Sequence, residues 1–129
     1  MGRTLLIVDD SPIARKILIR CLPPDETFRI LEAGNGEIAL KVYQAERPDI
    51  TFMDLTMPVV DGFQSIVDIR RFDPEAVIIV ATADIQTKTL FRVLDAGALM
   101  VLKKPMSREA VKDALEKAEE ALKDSERRR

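Results

Sequence analysis

The chain has 129 residues, 47% of them hydrophobic and 33% charged, which suits one compact domain with its own core. Its 20 basic and 22 acidic residues leave a formal charge of -2 with no uniformly basic stretch, so direct DNA binding is not expected. With no histidine and one cysteine, Cys21, it cannot build an internal disulfide, a Cys/His zinc site or a histidine-based nucleophile triad; any chemistry must run on carboxylates, hydroxyls and lysines.

Leu5 to Val8 is a continuous aliphatic run that ends on Asp9-Asp10, and it reads as a buried strand. Ser11-Pro12 opens a helix, as N-cap and first helical residue, and Ile13, Ala14, Ile17, Leu18 and Cys21 recur on one face expected to pack on the sheet. Pro23-Pro24 stops that helix. Phe28 to Ala33 reads as strand two, and Asn35-Gly36 turns into a helix with Ile38, Ala39, Val42 and Ala45 on one side, closed by Pro48.

Ile50 to Asp54 is strand three, with its carboxylate at the C-terminal end and Pro58 just beyond. Asp61-Gly62 starts a helix with Phe63, Ile66 and Ile69 inward and Arg70 and Arg71 near its dipole-negative end; Pro74 closes it. Val77 to Ala81 is an all-aliphatic strand terminating on Thr82. The segment from Ile85 to Ala96 is a helix of low intrinsic preference, which fits an element able to shift, and Gly97 caps its end. Leu99 to Leu102 is the fifth strand, followed by Lys103-Lys104-Pro105. Ser107 caps the last helix, whose Val111, Ala114, Leu115, Ala118 and Leu122 share one face. Residues 124–129 read as a frayed tail, whose three terminal arginines are either solvated or a grip for an acidic partner.

No run approaches the about 18 apolar residues of a membrane span, and no basic leader with a cleavage site opens the chain, so a cytoplasmic location without membrane insertion is expected. Strands alternating with helices through short loops predict one α/β domain over residues 1–129, with a core from about 4 to 122. The architecture expected is a flavodoxin-like doubly wound sheet of five parallel strands, order 2-1-3-4-5, with five helices on both faces.

In that order strands one and three are neighbours at the switch point, so Asp9, Asp10 and Asp54 meet. Thr82 and Lys104 leave strands four and five at the same rim. Three crowded carboxylates repel unless one is protonated or a cation sits among them. Carboxylate and carbonyl oxygens, including the Thr56 carbonyl, suit Mg2+. An aspartate beside such a cation can attack phosphorus to give an acyl phosphate. Asp54 is therefore the candidate nucleophile, Asp9 and Asp10 hold metal, and Thr82 and Lys104 bind phosphoryl oxygens. Lys104 also fits a structural ion pair with the acidic cluster, a role compatible with the first.

Val8-Asp9-Asp10-Ser11, Asp54-Leu55-Thr56-Met57-Pro58 with Asp61-Gly62, Thr82-Ala83, Gly97-Ala98 and Lys103-Lys104-Pro105 occur in order over about Thr4 to Leu122. With them the chain resembles the receiver domain of bacterial two-component response regulators, the CheY-like family. The resemblance implies that Asp54 takes phosphate from a histidine kinase or phosphotransfer protein with Mg2+, and that the Lys104-Pro105 bond is cis. It further implies a stand-alone signalling switch that catalyses only its own phosphorylation and dephosphorylation. Such a switch binds an unidentified downstream protein and is a monomer or a phosphorylation-dependent dimer. The alternative is a receiver-fold interaction module that works without phosphate. A flavodoxin would want a Ser/Thr/Gly-rich phosphate loop after strand one, and an aspartate-nucleophile phosphatase an acid two residues after Asp54, where Thr56 stands.

The family's usual aromatic three positions before the lysine is Val101 here, too small for a ring-sized swing, with Phe91 a candidate for part of the readout or for plain packing. A switch from 1:99 to 99:1 needs about 5.5 kcal/mol, and two charge-assisted hydrogen bonds to phosphate supply about 1.5 to 3 kcal/mol each. Asp84, two residues after Thr82, is either the N-cap of helix four or a residue that guides water.

Overall fold

The computed structural model describes residues 2–57, 59–83 and 85–128, with side chains through Glu126. Pro58, Asp84 and the three terminal arginine side chains lie outside the described residues, and so do the expectations that rest on them. The elements run β1 (Arg3–Val8), α1 (Pro12–Cys21), β2 (Phe28–Ala33), α2 (Gly36–Glu46), β3 (Ile50–Asp54), α3 (Gly62–Phe72), β4 (Ile78–Thr82), α4 (Thr87–Asp95), β5 (Met100–Lys103) and α5 (Arg108–Arg128). All strand pairs are parallel and the sheet order is β2-β1-β3-β4-β5.

Strand alternation divides the core into two halves. Leu5, Ile7, Ile50, Phe52 and Ile79 face α1 and α5, where they meet Leu18, Val111, Ala114 and Ala118. Leu6, Val8, Met53, Ile78 and Val80 face the other way, onto Ala39 and Tyr43 of α2, Ile66 and Ile69 of α3 and Val93 of α4. The central strands β3 and β4 are buried at every residue, as a sheet covered on both faces requires.

The helix starts follow the expected capping chemistry. Ser11 accepts from the Ala14 amide, Asn35 from Ile38, Asp61 from Gln64 and Ser107 from Ala110, at 2.8 to 3.1 Å. α4 is the exception: its N-cap is Gln86, which makes no side-chain cap hydrogen bond, and the helix begins at Thr87 rather than Ile85. It ends through Gly97, at φ +113°, with the Gly97 amide on the Leu94 carbonyl at 3.0 Å.

Three expectations need correction. On α1 the apolar face is rotated: Leu18 is buried, but Ile13 is 71% and Ile17 48% exposed, because the residues that touch the core are Leu18, Ile19, Cys21 and Leu22. Cys21 is half-buried, its Sγ 3.7 Å from the Met106 carbonyl oxygen. On α2, Ile38 and Ala45 are exposed and Tyr43 is buried instead, its hydroxyl donating to Asp73 at 2.7 Å. That bond makes an aromatic with a polar tip acceptable in the core. Residues 124–128, expected to fray, continue α5 as helix. The Arg3 guanidinium, bonded twice to Glu119 and also in the field of Glu126, ties the stretch of α5 just before them to the start of β1.

Candidate functional site

β1 and β3 are adjacent, with Val8 opposite Met53, so the residues that follow them emerge side by side at the C-terminal rim. Asp54 is the last residue of β3 and is 8% exposed; Asp9 follows β1 and is 6% exposed; Asp10 is on the surface. One carboxylate oxygen of each lies within 4.8 Å of the others. Thr82 ends β4 and is buried, and its carbonyl accepts the Lys104 amide at 2.9 Å. β5 ends one residue before Lys104, whose ammonium donates to Asp9 Oδ2 at 2.6 Å and to Asp54 Oδ1 at 3.2 Å. The Lys104-Pro105 peptide is cis, as the resemblance implied.

The acids are held from several sides. The Asp9 amide extends the ladder to Ala33 at 3.1 Å, and Asp9 Oδ1 accepts the Ser11 amide at 2.9 Å. The Thr56 amide donates to the Asp54 carboxylate. Gly62 lets α3 start directly against the end of β3. Its amide reaches the Leu55 carbonyl at 3.0 Å, and a Cβ there would fall on the Asp54 carbonyl oxygen and 2.6 Å from Leu55 Cα.

Burial, and then the neighbouring Asp9 charge, push the Asp54 carboxyl above its ordinary range, against the pull of Lys104 and the Thr56 amide. Lys104 is also raised: burial draws it down, but its hydrogen bond to Asp9 and the charges of Asp54 and Asp9 outweigh that. One lysine therefore leaves the acidic cluster short of positive charge. The donor set is all oxygen, converging and under-neutralised, and it fits a hard divalent cation.

Two contacts between elements have no signature in local spacing. Arg15 on α1 donates to Glu32 Oε1 at 2.8 Å and to the Asp9 carbonyl at 2.6 Å. Arg92 of α4 stacks on the Phe63 ring of α3, 3.6 Å from its centroid. Phe91, by contrast, is 65% exposed and does not serve as a packing residue. Val101 is half-buried opposite Val80 and packs on the α2, α3 and α4 side of the sheet.

A family model for the response regulator receiver domain matches residues 5–116, and the chain belongs to that family. It is a receiver domain of the CheY type, a signalling protein. The chemotaxis protein CheY of Thermotoga maritima is 37% identical over 117 residues, 91% of this chain and 98% of that protein. CheY of Halobacterium salinarum is 36% identical over 116 residues, 89% and 95% of the two chains. A protein-glutamate methylesterase/protein-glutamine glutaminase of Syntrophus aciditrophicus is 42% identical over 104 residues, but the match spans only 30% of its length. Among solved structures, the CheX-CheY-BeF3-Mg2+ complex from Borrelia burgdorferi superposes with a TM-score of 0.82 at 32% identity, covering 88% of this chain and 86% of that one. Among the described residues no helix is long and apolar enough to cross a membrane.

Proposed function

We propose that this chain is a cytoplasmic phosphoacceptor switch that receives a phosphoryl group on Asp54 from a phosphohistidine carried by another protein. The observation that carries this reading is the shared lysine: Lys104 bridges Asp9 and Asp54 while all three carboxylates converge. Because the chain contains no histidine, the phosphohistidine belongs to a kinase or phosphotransfer partner. Asp9, Asp10, Asp54 and the Thr56 carbonyl are the proposed ligands of Mg2+, the ion that the Borrelia CheY complex contains. Bound there, Mg2+ supplies charge neutralisation at the carboxylates and at the phosphoryl oxygens.

An Asp54 carboxylate oxygen attacks phosphorus; the new P–O bond forms as the P–N bond breaks, and the departing imidazole nitrogen keeps the electron pair and takes up a proton. The Lys104 ammonium, drawn toward Asp9 and Asp54 before transfer, turns to an equatorial phosphoryl oxygen after it, and the Thr82 hydroxyl donates to another. Both bonds exist only with phosphate present and so bias the protein toward its signalling state.

The docking surface for the donor is the apolar stripe that α1 leaves uncovered. A groove of about 300 Å³ lined by Ala14, Ile17, Ala83, Lys104, Pro105 and Met106 opens beside the site lysine. A partner seated there brings its histidine toward Asp54. The test is phosphoryl uptake from phosphoramidate, a small P–N donor, followed by intact mass. One added phosphoryl group with Mg2+, and none in EDTA, supports the reading; no adduct with Mg2+ favours a module that works without phosphate.

A further inference from the structure

Arg15 is the one cation besides Lys104 whose hydrogen bonds reach an aspartate of the site, among the described residues, and it does so through the backbone. The β1–β2 ladder ends at Val8 opposite Ala33, with one further bond from the Asp9 amide to the Ala33 carbonyl. Beyond it the chain turns through Gly34 into the Asn35 cap of α2, so β2 offers Asp9 no continuing strand. The Arg15 guanidinium supplies a donor to the Asp9 carbonyl at 2.6 Å. Its Nε is fixed on Glu32 Oε1 at 2.8 Å, and only 18% of the side chain is exposed. Its own amide makes the first bond of α1, to the Ser11 carbonyl at 3.1 Å, while the Ser11 amide holds Asp9 Oδ1.

Resting on the reading of Asp9, Asp10 and Asp54 as a divalent-cation site, we propose that Arg15, anchored by Glu32, is a positioning residue that fixes the Asp9–Asp10 peptide and thereby sets the carboxylates for the cation. Asp10 is on the surface. The orientation of the peptide that precedes it decides where its carboxylate stands relative to Asp9 and Asp54. Groups that orient the ligands of a metal contribute to its affinity without touching it.

This role has a sign that charge alone does not. Arg15 is a cation near a cation site, so removing it by electrostatics alone tightens Mg2+ binding; removing a positioning group weakens it. The test is calorimetric titration of the whole chain with Mg2+, without any phosphodonor, for wild type, Arg15→Ala and Arg15→Lys. Arg15→Ala is expected to bind Mg2+ about 10-fold more weakly. Arg15→Lys keeps the charge but loses the two-pronged fork, and a loss of roughly three-fold is expected. Should Arg15→Ala fail to fold, by melting in EDTA, Arg15→Lys decides alone, and unchanged affinity overturns the proposal. Wild-type protein that binds no Mg2+ overturns the site reading and this proposal together. Wild-type binding that Arg15→Ala matches or exceeds overturns the positioning role alone.

Discussion

Lys104 lies closer to Asp9, at 2.6 Å, than to Asp54, at 3.2 Å, so the ammonium is held first by the carboxylate that is not the proposed acceptor. The arrangement keeps a cation beside Asp54 while leaving the acceptor the weaker of the two partners. Removing the ammonium exposes two buried carboxylates to each other. Lys104→Met is expected to lower stability in EDTA by about 1 to 2 kcal/mol, less than a fully buried pair because a quarter of the lysine side chain is exposed. Millimolar Mg2+ should recover part of the loss. Urea melts that coincide with wild type in EDTA contradict the neutralising role.

The Asp54 carboxyl is raised from its ordinary 3.8 by burial and then by Asp9, and this fixes the sign of a pH dependence. A carboxyl with a raised folded pKa holds its proton more tightly folded than unfolded. Its ionised form therefore weakens the fold at neutral pH, and the penalty vanishes as the pH falls through the folded pKa. In EDTA, Asp54→Asn should melt above wild type at pH 7. The gap should close as the pH falls toward 3.8, the ordinary value. Equal melting at pH 7, or a gap that widens in acid, is the contrary result.

Gly62 couples the site to α3 at backbone distance. Because a Cβ there would meet the Asp54 carbonyl and Leu55 Cα, Gly62→Ala must shift the β3–α3 connection. A loss of about 3 kcal/mol or more is expected by chemical denaturation, with phosphoramidate uptake slowed at least ten-fold. Wild-type stability would mean that the loop has room the geometry denies.

The strand ends were readable because each rim residue follows an unmistakable aliphatic run: Val8 before Asp9, Ala81 before Thr82, Leu102 two residues before Lys104. The strand period of two, with an all-apolar run where both faces are covered, leaves little freedom. Helix faces were less legible. α1 carries more apolar residues than the sheet can cover, so spacing alone made Ile13 and Ile17 core when they are surface. On α2 the same rule missed Tyr43, whose burial depends on Asp73, 30 residues away on another element. Arg15 with Glu32 and Arg92 with Phe63 were invisible for the same reason, being contacts between elements that neither local pattern encodes.

The misread face of α1 yields its own prediction. Replacing both Ile13 and Ile17 by Gln removes two exposed apolar groups and should change stability by no more than about 0.5 kcal/mol. If the stripe seats the donor, the ratio of transfer from a protein phosphohistidine to uptake from phosphoramidate should fall at least ten-fold, about 1.4 kcal/mol of transition-state binding. An unchanged ratio places the donor elsewhere.

The central claim, that Asp54 among three converging acids is the acceptor, is tested most directly by trapping. Wild-type protein is phosphorylated with phosphoramidate and Mg2+ and reduced with borohydride, which converts an acyl phosphate on aspartate to homoserine, and the peptides are sequenced by mass spectrometry. Homoserine at position 54, and none in protein treated without Mg2+, is the predicted result; homoserine at position 9 or 10, or at no position, contradicts the account.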